Sequence, residues 1–201
     1  MEAEKYYHIF NRANGDERLF RCEENYRFFL QQWQKYISPI ATSYVYCLLP
    51  NHFHFLIQTH SEEKLCRNLN FSQEQPFGKF QTFQKVVSKQ FSNLFSSYTQ
   101  ALNKMYGRHG SLFSPNFKRK EITTENYLRN LVCYIHANAV HHGLSCRIDE
   151  WKHSSYTQMI EKDFGFIDSM AVIQWFEDLE NLIFCHLQKS SFFIEENELE
   201  L

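Results

Sequence analysis

The chain has little proline and glycine, no paired cysteines and no long apolar run. Four prolines and six glycines in 201 residues argue against long disordered or collagen-like stretches. The six cysteines are scattered without a Cys-x-x-Cys pair, so we expect reduced thiols in a cytoplasmic protein rather than a zinc knuckle or redox pair. No segment reaches roughly 18 uninterrupted apolar residues, so no membrane span is expected. The N-terminal residues lack the basic and apolar regions of a secretory signal.

Aromatic residues, by contrast, are abundant. They make up 17% of the chain, with 20 phenylalanines and 11 tyrosines, which is ample for a packed core. The length of 201 residues suits one domain with an appendage or two small domains.

The formal net charge of −2 conceals a strong asymmetry along the chain. From Lys64 to Lys120 there are ten basic residues and one acid, whereas from Asp149 to Leu201 there are three basic residues and twelve acids. The basic segment suits an anionic partner such as nucleic acid, and its plainer interpretation is an ordinary solvated helix face. The acidic segment can cover the basic surface or simply keep the protein soluble.

Two histidines one residue apart are the most informative local feature. His52 and His54 fall in a run of strand-forming residues, and alternate side chains of a strand share a face about 7 Å apart. Two imidazoles at that spacing can chelate one metal ion, although a half-buried strand with two incidental histidines is the alternative. The opposite face of this strand is apolar and suits a core. It carries Phe53, Phe55 and Ile57.

Periodicity and turn residues predict an α+β fold. The predicted order is strand 6–11, helix 23–37, strand 42–49, strand 52–59, helix 77–106, strand 118–122, helix 125–138 and a C-terminal helix 169–188. Thr124 can cap the 125–138 helix and Gly143 can end it. This order indicates an antiparallel sheet of about four to five strands with helices packed on it. The C-terminal helix is apolar around much of its circumference, so it must dock on the domain or on a partner.

The 125–138 helix carries a second candidate group. Tyr134 and Asn138 lie four residues apart and therefore share a helical face. The amide can complete a metal site begun by two histidines, and the hydroxyl can attack a group that the metal polarises. Taken alone, the pair is more typical of a half-buried tyrosine and an asparagine near a helix end.

Together these segments resemble the single-tyrosine HUH transposases, and within them the REP-associated tyrosine transposases, which are insertion-sequence-200-like. The resembling segments are 7–14 (YHIFNRAN), 46–57 (YCLLPNHFHFLI), 110–118, 127–138 and 151–156 (WKHSSY). Each motif alone is weak, but all five occur in order between about Tyr6 and Tyr156. One departure from the family pattern is Ala139, because members of the family commonly have proline at this position. The difference affects the geometry with which the chain leaves the 125–138 helix rather than the chemistry.

The resemblance implies a fold of the ferredoxin-like HUH nuclease type and a defined chemistry. Tyr134 would be the nucleophile, and His52, His54 and Asn138 would bind Mg²⁺ or Mn²⁺. The enzyme would cleave and rejoin single-stranded or hairpin DNA through a 5′-phosphotyrosine intermediate. Residues 1–150 would form the catalytic domain and residues 151–201 an acidic, partly helical extension.

The expected partner is single-stranded DNA with a hairpin, bound by a monomer or homodimer without a membrane. The candidate DNA-binding residues are Asn11, Arg12, Asn14, Lys85, Lys89, Lys118, Arg119 and Lys120. Of these, the asparagines and Arg12 are candidates for reading a short guide sequence beside the hairpin, as the resemblance implies. The lysines and Arg119 are candidates for phosphate contacts.

Two alternatives from other functional classes stay open. The first is a domesticated protein that binds DNA hairpins without strand transfer, and the acidic segment is the feature that favours it. The second is an unrelated metalloenzyme that uses the His-x-His pair, such as a cupin-like oxygenase. Low glycine content and three predicted core helices argue against the second. A zinc deaminase is excluded because the chain has no Cys-x-x-Cys to accompany a His-x-Glu.

Overall fold

A computed structural model gives the structure of the protein and describes residues 1–71, 77, 82–161 and 165–192. Lys79 of the basic segment and Phe80 of the predicted helical stripe fall outside these residues, as do the acids from 195 to 200. The strands are β1 Tyr6–Arg12, β2 Ala41–Leu49, β3 His52–Thr59 and β4 Lys118–Ile122. The helices are α1 Glu23–Ile37, α2 Glu62–Asn68, α3 Phe83–Tyr106, α4 Glu125–His141, α5 Ser155–Glu161, α6 Ser169–Trp175 and α7 Leu179–Phe192.

The four strands form one antiparallel sheet in the order β2-β3-β1-β4. Strand β1 therefore lies between the histidine strand β3 and the basic strand β4. In its register with β3, Phe10 lies opposite His54 and His8 lies opposite Leu56. This arrangement brings side chains that are distant in the sequence onto one face of the sheet. It also confirms the predicted α+β class, with helices packed on an antiparallel sheet.

One face of the sheet builds the core with α1 and α3. The Trp33 ring of α1 stacks on Phe55 at a centroid distance of 3.5 Å, and Phe29 packs on Phe53 at 5.2 Å. The indole Nε1 of Trp33 donates to Ser43 Oγ at 2.9 Å, so its only polar atom is satisfied. The apolar face predicted for the His-x-His strand thus packs against α1, and the histidines point to the other side of the sheet.

Helix α4 covers the histidine side of the sheet, against β2 and β3. Thr124 caps its N-terminus by accepting a hydrogen bond from the Tyr127 amide. Gly143 adopts a φ of +64° just beyond its end, a left-handed conformation that glycine reaches without a Cβ clash. The helix runs three residues further than predicted, to His141. Asn138 therefore lies inside the last helical turn rather than at its end.

The predicted single helix 169–188 was wrong, because the segment forms two helices. Glu177 has a φ of +72°, which breaks the helical path after α6. Asp178 Oδ1 then accepts a hydrogen bond from the Asn181 amide and starts α7. Leu182 and His186 of α7 are buried, and α7 packs on α4 of the same chain. Docking on the domain, one of the two possibilities left by the sequence, is what the described residues show.

The chain leading into these helices also packs on the sheet. The Trp151 indole donates to the Leu48 carbonyl at 3.0 Å, and the Leu48 amide donates to the His153 carbonyl at 2.9 Å. The division between a domain 1–150 and an extension 151–201 stays a prediction, but the described part of the extension rests directly on β2.

Two further differences concern the segment between β3 and α3. The predicted linker contains the short helix α2, whose N-cap Ser61 accepts from the Lys64 amide. Helix α3 begins at Phe83 after the Thr82 cap, and Phe77 lies in a turn rather than in the helix. Capping residues thus set both boundaries where apolar periodicity alone did not. Across the described residues, no helix is both long and apolar enough to span a membrane.

Candidate active site

A cavity of about 560 Å³ opens between the histidine face of the sheet and the C-terminal half of α4. Its lining includes His8, Asn11, Arg12, His52, His54, Lys118, Tyr134 and His142. The two predicted metal-ligating histidines and the predicted nucleophile therefore face the same space.

Tyr134 lies edge-on to two histidine rings. Its ring centroid is 5.8 Å from that of His54 and 6.2 Å from that of His8, at interplanar angles of 89° and 82°. The side chain is 8% exposed, so the ring is held while it still reaches the cavity. Strands β1 and β3 supply the two imidazoles and α4 supplies the phenol, which fixes their relative positions through the sheet and the helix.

His54 and His8 form a buried hydrogen-bonded pair. His54 Nδ1 and His8 Nε2 are 2.9 Å apart, and each residue is 7% exposed. Burial lowers the pKa of His8 to about 3, with a further contribution from Lys120. Burial likewise holds the pKa of His54 well below its usual value, and the neighbouring imidazoles lower it further. Both rings are therefore neutral at physiological pH, the state in which an imidazole nitrogen can bind a metal.

His52 lies at the edge of the cavity. Its Nδ1 donates to Asn51 Oδ1 at 2.8 Å, which leaves Nε2 with its lone pair. Its ring meets that of His142 at 4.6 Å and 70°. Burial lowers the pKa of His52 to about 4 and His142 lowers it further, while the Asn138 amide acts in the opposite direction. That opposing effect indicates that the amide lies beside the His52 ring.

Asn138 is fully buried one turn from the nucleophile candidate. Its Nδ2 donates to the Tyr134 carbonyl at 3.4 Å. Among the described residues, no group meets the geometry of a hydrogen bond to its Oδ1. A buried acceptor without a donor is costly, and a cation near Oδ1 would remove that cost.

This donor set fits a hard divalent cation. It combines two neutral imidazoles with an amide oxygen whose hydrogen-bonding capacity is unused, and Mg²⁺ and Mn²⁺ accept oxygen ligands readily. In the described parts of the chain, no group of three or more His, Cys, Asp or Glu side chains can hold a metal ion. Asn138 is not among the residues that line the cavity, so a site formed by His52, His54 and Asn138 stays a prediction.

The predicted DNA-binding residues divide by position. Asn11, Arg12 and Lys118 line the cavity, and Lys120 lies over the Tyr127 ring of α4 at 4.9 Å. Asn14 lies outside the lining and donates to Ser111 Oγ. The other three predicted residues, Lys85, Lys89 and Arg119, are exposed outside the cavity.

A second groove of about 610 Å³ adjoins this cavity. It shares Asn11, Ser114, Pro115 and Asn116 with the first, and hydroxyl and amide side chains of α3 form one wall. None of the residues that line it is charged. Together the two spaces present both charged and uncharged side chains to a ligand.

A buried hydrogen-bond network fixes α4 from behind. The His186 Nδ1–H donates to the Leu182 carbonyl at 2.7 Å, so His186 Nε2 must accept from His136 Nδ1–H at 2.8 Å. His136 Nε2 meets Ser155 Oγ at 2.8 Å, and Ser155 Oγ accepts from the Tyr46 amide at 2.9 Å. The network joins α4 to α7, α5 and β2, so the C-terminal helices help to hold the helix that carries Tyr134.

Sequence reasoning missed two residues of the site, His8 and His142. The side chains of His8 and Phe10 lie on the same face of β1. This position predicts a contact with His54 only once β1 is known to pair with β3. His142 directly follows α4, and its proximity to His52 depends on how that helix lies on the sheet. In each case the sequence signal was a histidine within or beside a predicted element that already carried a candidate site residue. That element is β1 for His8 and α4 for His142.

Comparison with solved structures finds a protein of the same fold. A REP-associated tyrosine transposase, solved bound to a REP hairpin, aligns with a TM-score of 0.55 and 16% identity over 82% of this chain and 84% of its own. No protein-family model and no curated protein matches the sequence. At this identity the likeness establishes the fold, and it confirms at that level the resemblance predicted from the motifs.

Proposed function

We propose that this protein is a metal-assisted DNA strand transferase that cleaves single-stranded or hairpin DNA with Tyr134. The observation that carries the proposal is the edge-on approach of Tyr134 to His54, 5.8 Å between ring centroids, inside a cavity that also contains His52. A nucleophile, two neutral imidazoles and two basic side chains converge there, and phosphoryl transfer needs such a convergence.

The proposed reaction is an in-line displacement at phosphorus. The Tyr134 oxygen attacks the scissile phosphate, a phosphorus–tyrosine oxygen bond forms, and the bond from phosphorus to the 3′-oxygen breaks. The phenol gives up one proton and the leaving 3′-oxygen takes one up. The 5′-phosphate stays on the protein, so a second DNA 3′-hydroxyl can reverse the reaction and join strands without ATP.

A free phenol, whose pKa is about 10, is a poor nucleophile at neutral pH and needs assistance. When bound by His52, His54 and Asn138, Mg²⁺ or Mn²⁺ supplies charge neutralisation at the scissile phosphate. The protein itself contributes position. The α4 backbone holds the phenol, and the sheet holds the imidazoles. Because Tyr134 is largely buried, water has little access to the reacting phosphate, which limits competing hydrolysis.

Substrate binding follows from the distribution of charge. Arg12 and Lys118 line the cavity and suit phosphates, whereas the uncharged second groove suits bases and sugars. Chemistry on one strand requires an unpaired nucleotide at the cavity, and the similar solved protein binds a REP hairpin. A hairpin with a single-stranded flank is therefore the substrate class that we propose.

The two alternatives are separated from this proposal by fold and by chemistry. A cupin-like oxygenase needs a barrel, whereas the described strands form one open four-stranded sheet. A protein that binds hairpins without cutting shares the proposed surface and differs only in forming no covalent intermediate. Covalent chemistry is therefore the property to measure.

The test is a covalent adduct assay with the full chain. Fluorescent single-stranded oligonucleotides that carry a hairpin and varied flanks are incubated with Mn²⁺ and separated under denaturing conditions. We expect a slower-migrating protein–DNA species that is absent with EDTA and absent on a fully paired duplex of the same sequence. Hairpin binding without any adduct across the whole substrate set would favour the binding-only alternative instead.

A further inference from the structure

The imidazole pair formed by His8 and His54 joins adjacent strands on a buried face of the sheet. His8 on β1 and His54 on β3 are diagonal neighbours, because Phe10 lies opposite His54 and His8 opposite Leu56. Their rings are nearly parallel, at 23° with centroids 5.1 Å apart, and the 2.9 Å contact joins His8 Nε2 to His54 Nδ1. An aliphatic residue at position 8 would pack in this layer but would offer no such bond.

The bond determines which atom of His54 is open. A neutral imidazole has two nitrogens, one a donor and one an acceptor. Because Nδ1 of His54 is taken by His8, only Nε2 is left for the cavity. His52 is held in the same way, since its Nδ1 donates to Asn51 Oδ1 at 2.8 Å. Both histidines of the His-x-His pair therefore have Nε2 as the ring nitrogen that these two hydrogen bonds leave available.

We propose that His8 is a positioning residue that fixes the ring orientation and tautomer of His54, so that His54 Nε2 can bind a divalent cation. When the cation is bound, His54 carries its proton on Nδ1 and donates it to Nε2 of His8. His8 then carries its own proton on Nδ1. This inference rests on the proposed function, because it assigns a role toward the ion of that same site.

The expected size of the effect follows from the role of such partners in metalloproteins. Hydrogen bonds that orient a ligating histidine typically change metal affinity by about 10- to 100-fold when removed. A merely structural role for His8 predicts lower thermal stability with unchanged affinity for the ion. Metal affinity and stability therefore separate the two interpretations.

The test measures Mn²⁺ affinity of the full chain without DNA, by calorimetry or by the electron paramagnetic resonance signal of free Mn²⁺. His8→Phe keeps a ring beside Phe10, whose centroid lies 4.7 Å from that of His8, but removes both nitrogens. His8→Gln restores a polar group that reaches toward His54. We expect affinity to fall by about 10- to 100-fold in His8→Phe and to recover substantially in His8→Gln.

His60→Phe is the matched control. His60 is also 7% exposed and also hydrogen-bonded, to Thr42 and the Pro39 carbonyl, but it lies outside the cavity. This variant should lose stability without losing Mn²⁺ affinity. Thermal unfolding in EDTA establishes which variants are folded, and His8→Leu replaces His8→Phe if the larger ring prevents folding.

A fourth variant, His54→Ala, separates failure of this inference from failure of the proposed function. If wild-type Mn²⁺ binding is lost in His54→Ala but unchanged in folded His8→Phe, or if His60→Phe weakens it equally, the role of His8 is overturned alone. If the wild type binds no Mn²⁺, or His54→Ala binds as well as the wild type, the metal site of the proposed function is overturned, and the role of His8 with it.

Discussion

Replacing Tyr134 with phenylalanine should lower the yield of covalent protein–DNA adduct by about a thousandfold or more. The substitution removes one oxygen and leaves the ring, so the edge-on contacts with His54 and His8 are kept. Fold and hairpin affinity should therefore match the wild type, while the bond to phosphorus cannot form. Denaturing electrophoresis with a labelled hairpin substrate measures the adduct, and a gel-shift assay on the same substrate measures binding.

Tyr127→Phe provides the matched control on the same helix. Tyr127 is half-buried on α4, and Lys120 lies 4.9 Å above its ring, an interaction that phenylalanine keeps. Adduct formation in this variant should stay near the wild-type level. An undiminished adduct in Tyr134→Phe, or an equal loss in Tyr127→Phe, would refute Tyr134 as the nucleophile.

The metal-free protein should lose a large part of its stability between pH 6.5 and pH 5. Three buried histidines and the half-buried His52 have folded-state pKa values below the unfolded value of 6.5. Burial lowers the pKa of His8 to about 3 and that of His52 to about 4, and it holds the pKa values of His54 and His136 well below 6.5. The unfolded chain binds protons in this window and the folded chain does not. Stability is therefore fully present above pH 6.5 and falls as the pH falls.

The size of this loss is a large part of the stability of a typical domain. A histidine whose folded-state pKa is near 3 or 4, as for His8 and His52, lowers the free energy of unfolding by about 2 kcal/mol at pH 5. These two account for about 4 kcal/mol, and His54 and His136 act in the same direction, against a typical total of about 5–15 kcal/mol. Urea unfolding in EDTA at several pH values measures this change in the free energy of unfolding. The pH values are kept above the range in which surface carboxylates titrate.

Single variants assign part of that dependence. His136→Gln should remove about one proton from the uptake on unfolding, and so flatten the slope of stability against pH. Equal free energies of unfolding at pH 5 and pH 7.5 would show that these histidines are not buried as neutral groups.

Local patterns in the sequence were sufficient for the elements that carry the site. Alternation gave β3 its bounds and its two faces, and apolar spacing gave α1 its bounds, because each pattern marks the side chains that pack in the core between the sheet and α1. Tyr134 and Asn138 share a helix face by spacing alone. The roles of His52, His54, Tyr134 and Asn138 in catalysis stay predictions that the experiments above address.

The features that escaped prediction depend on how elements meet. The pairing of His8 with His54 requires knowledge that β1 lies beside β3, and no local pattern states the order of strands. The break at Glu177 depends on a single residue with positive φ within an otherwise apolar helical pattern. The network that joins His136 to His186 spans fifty residues of sequence, so it follows from tertiary packing rather than from either helix alone.

The polarity of the covalent intermediate tests the central claim most directly. The hairpin substrate is labelled on its 5′ end in one reaction and on its 3′ end in another, and the adduct is digested and sequenced by mass spectrometry. We predict that the adduct retains only the 3′ label, that the released strand ends in a free 3′-hydroxyl, and that the attached nucleotide maps to Tyr134. An adduct that retains the 5′ label, or that maps to another residue, would contradict the account.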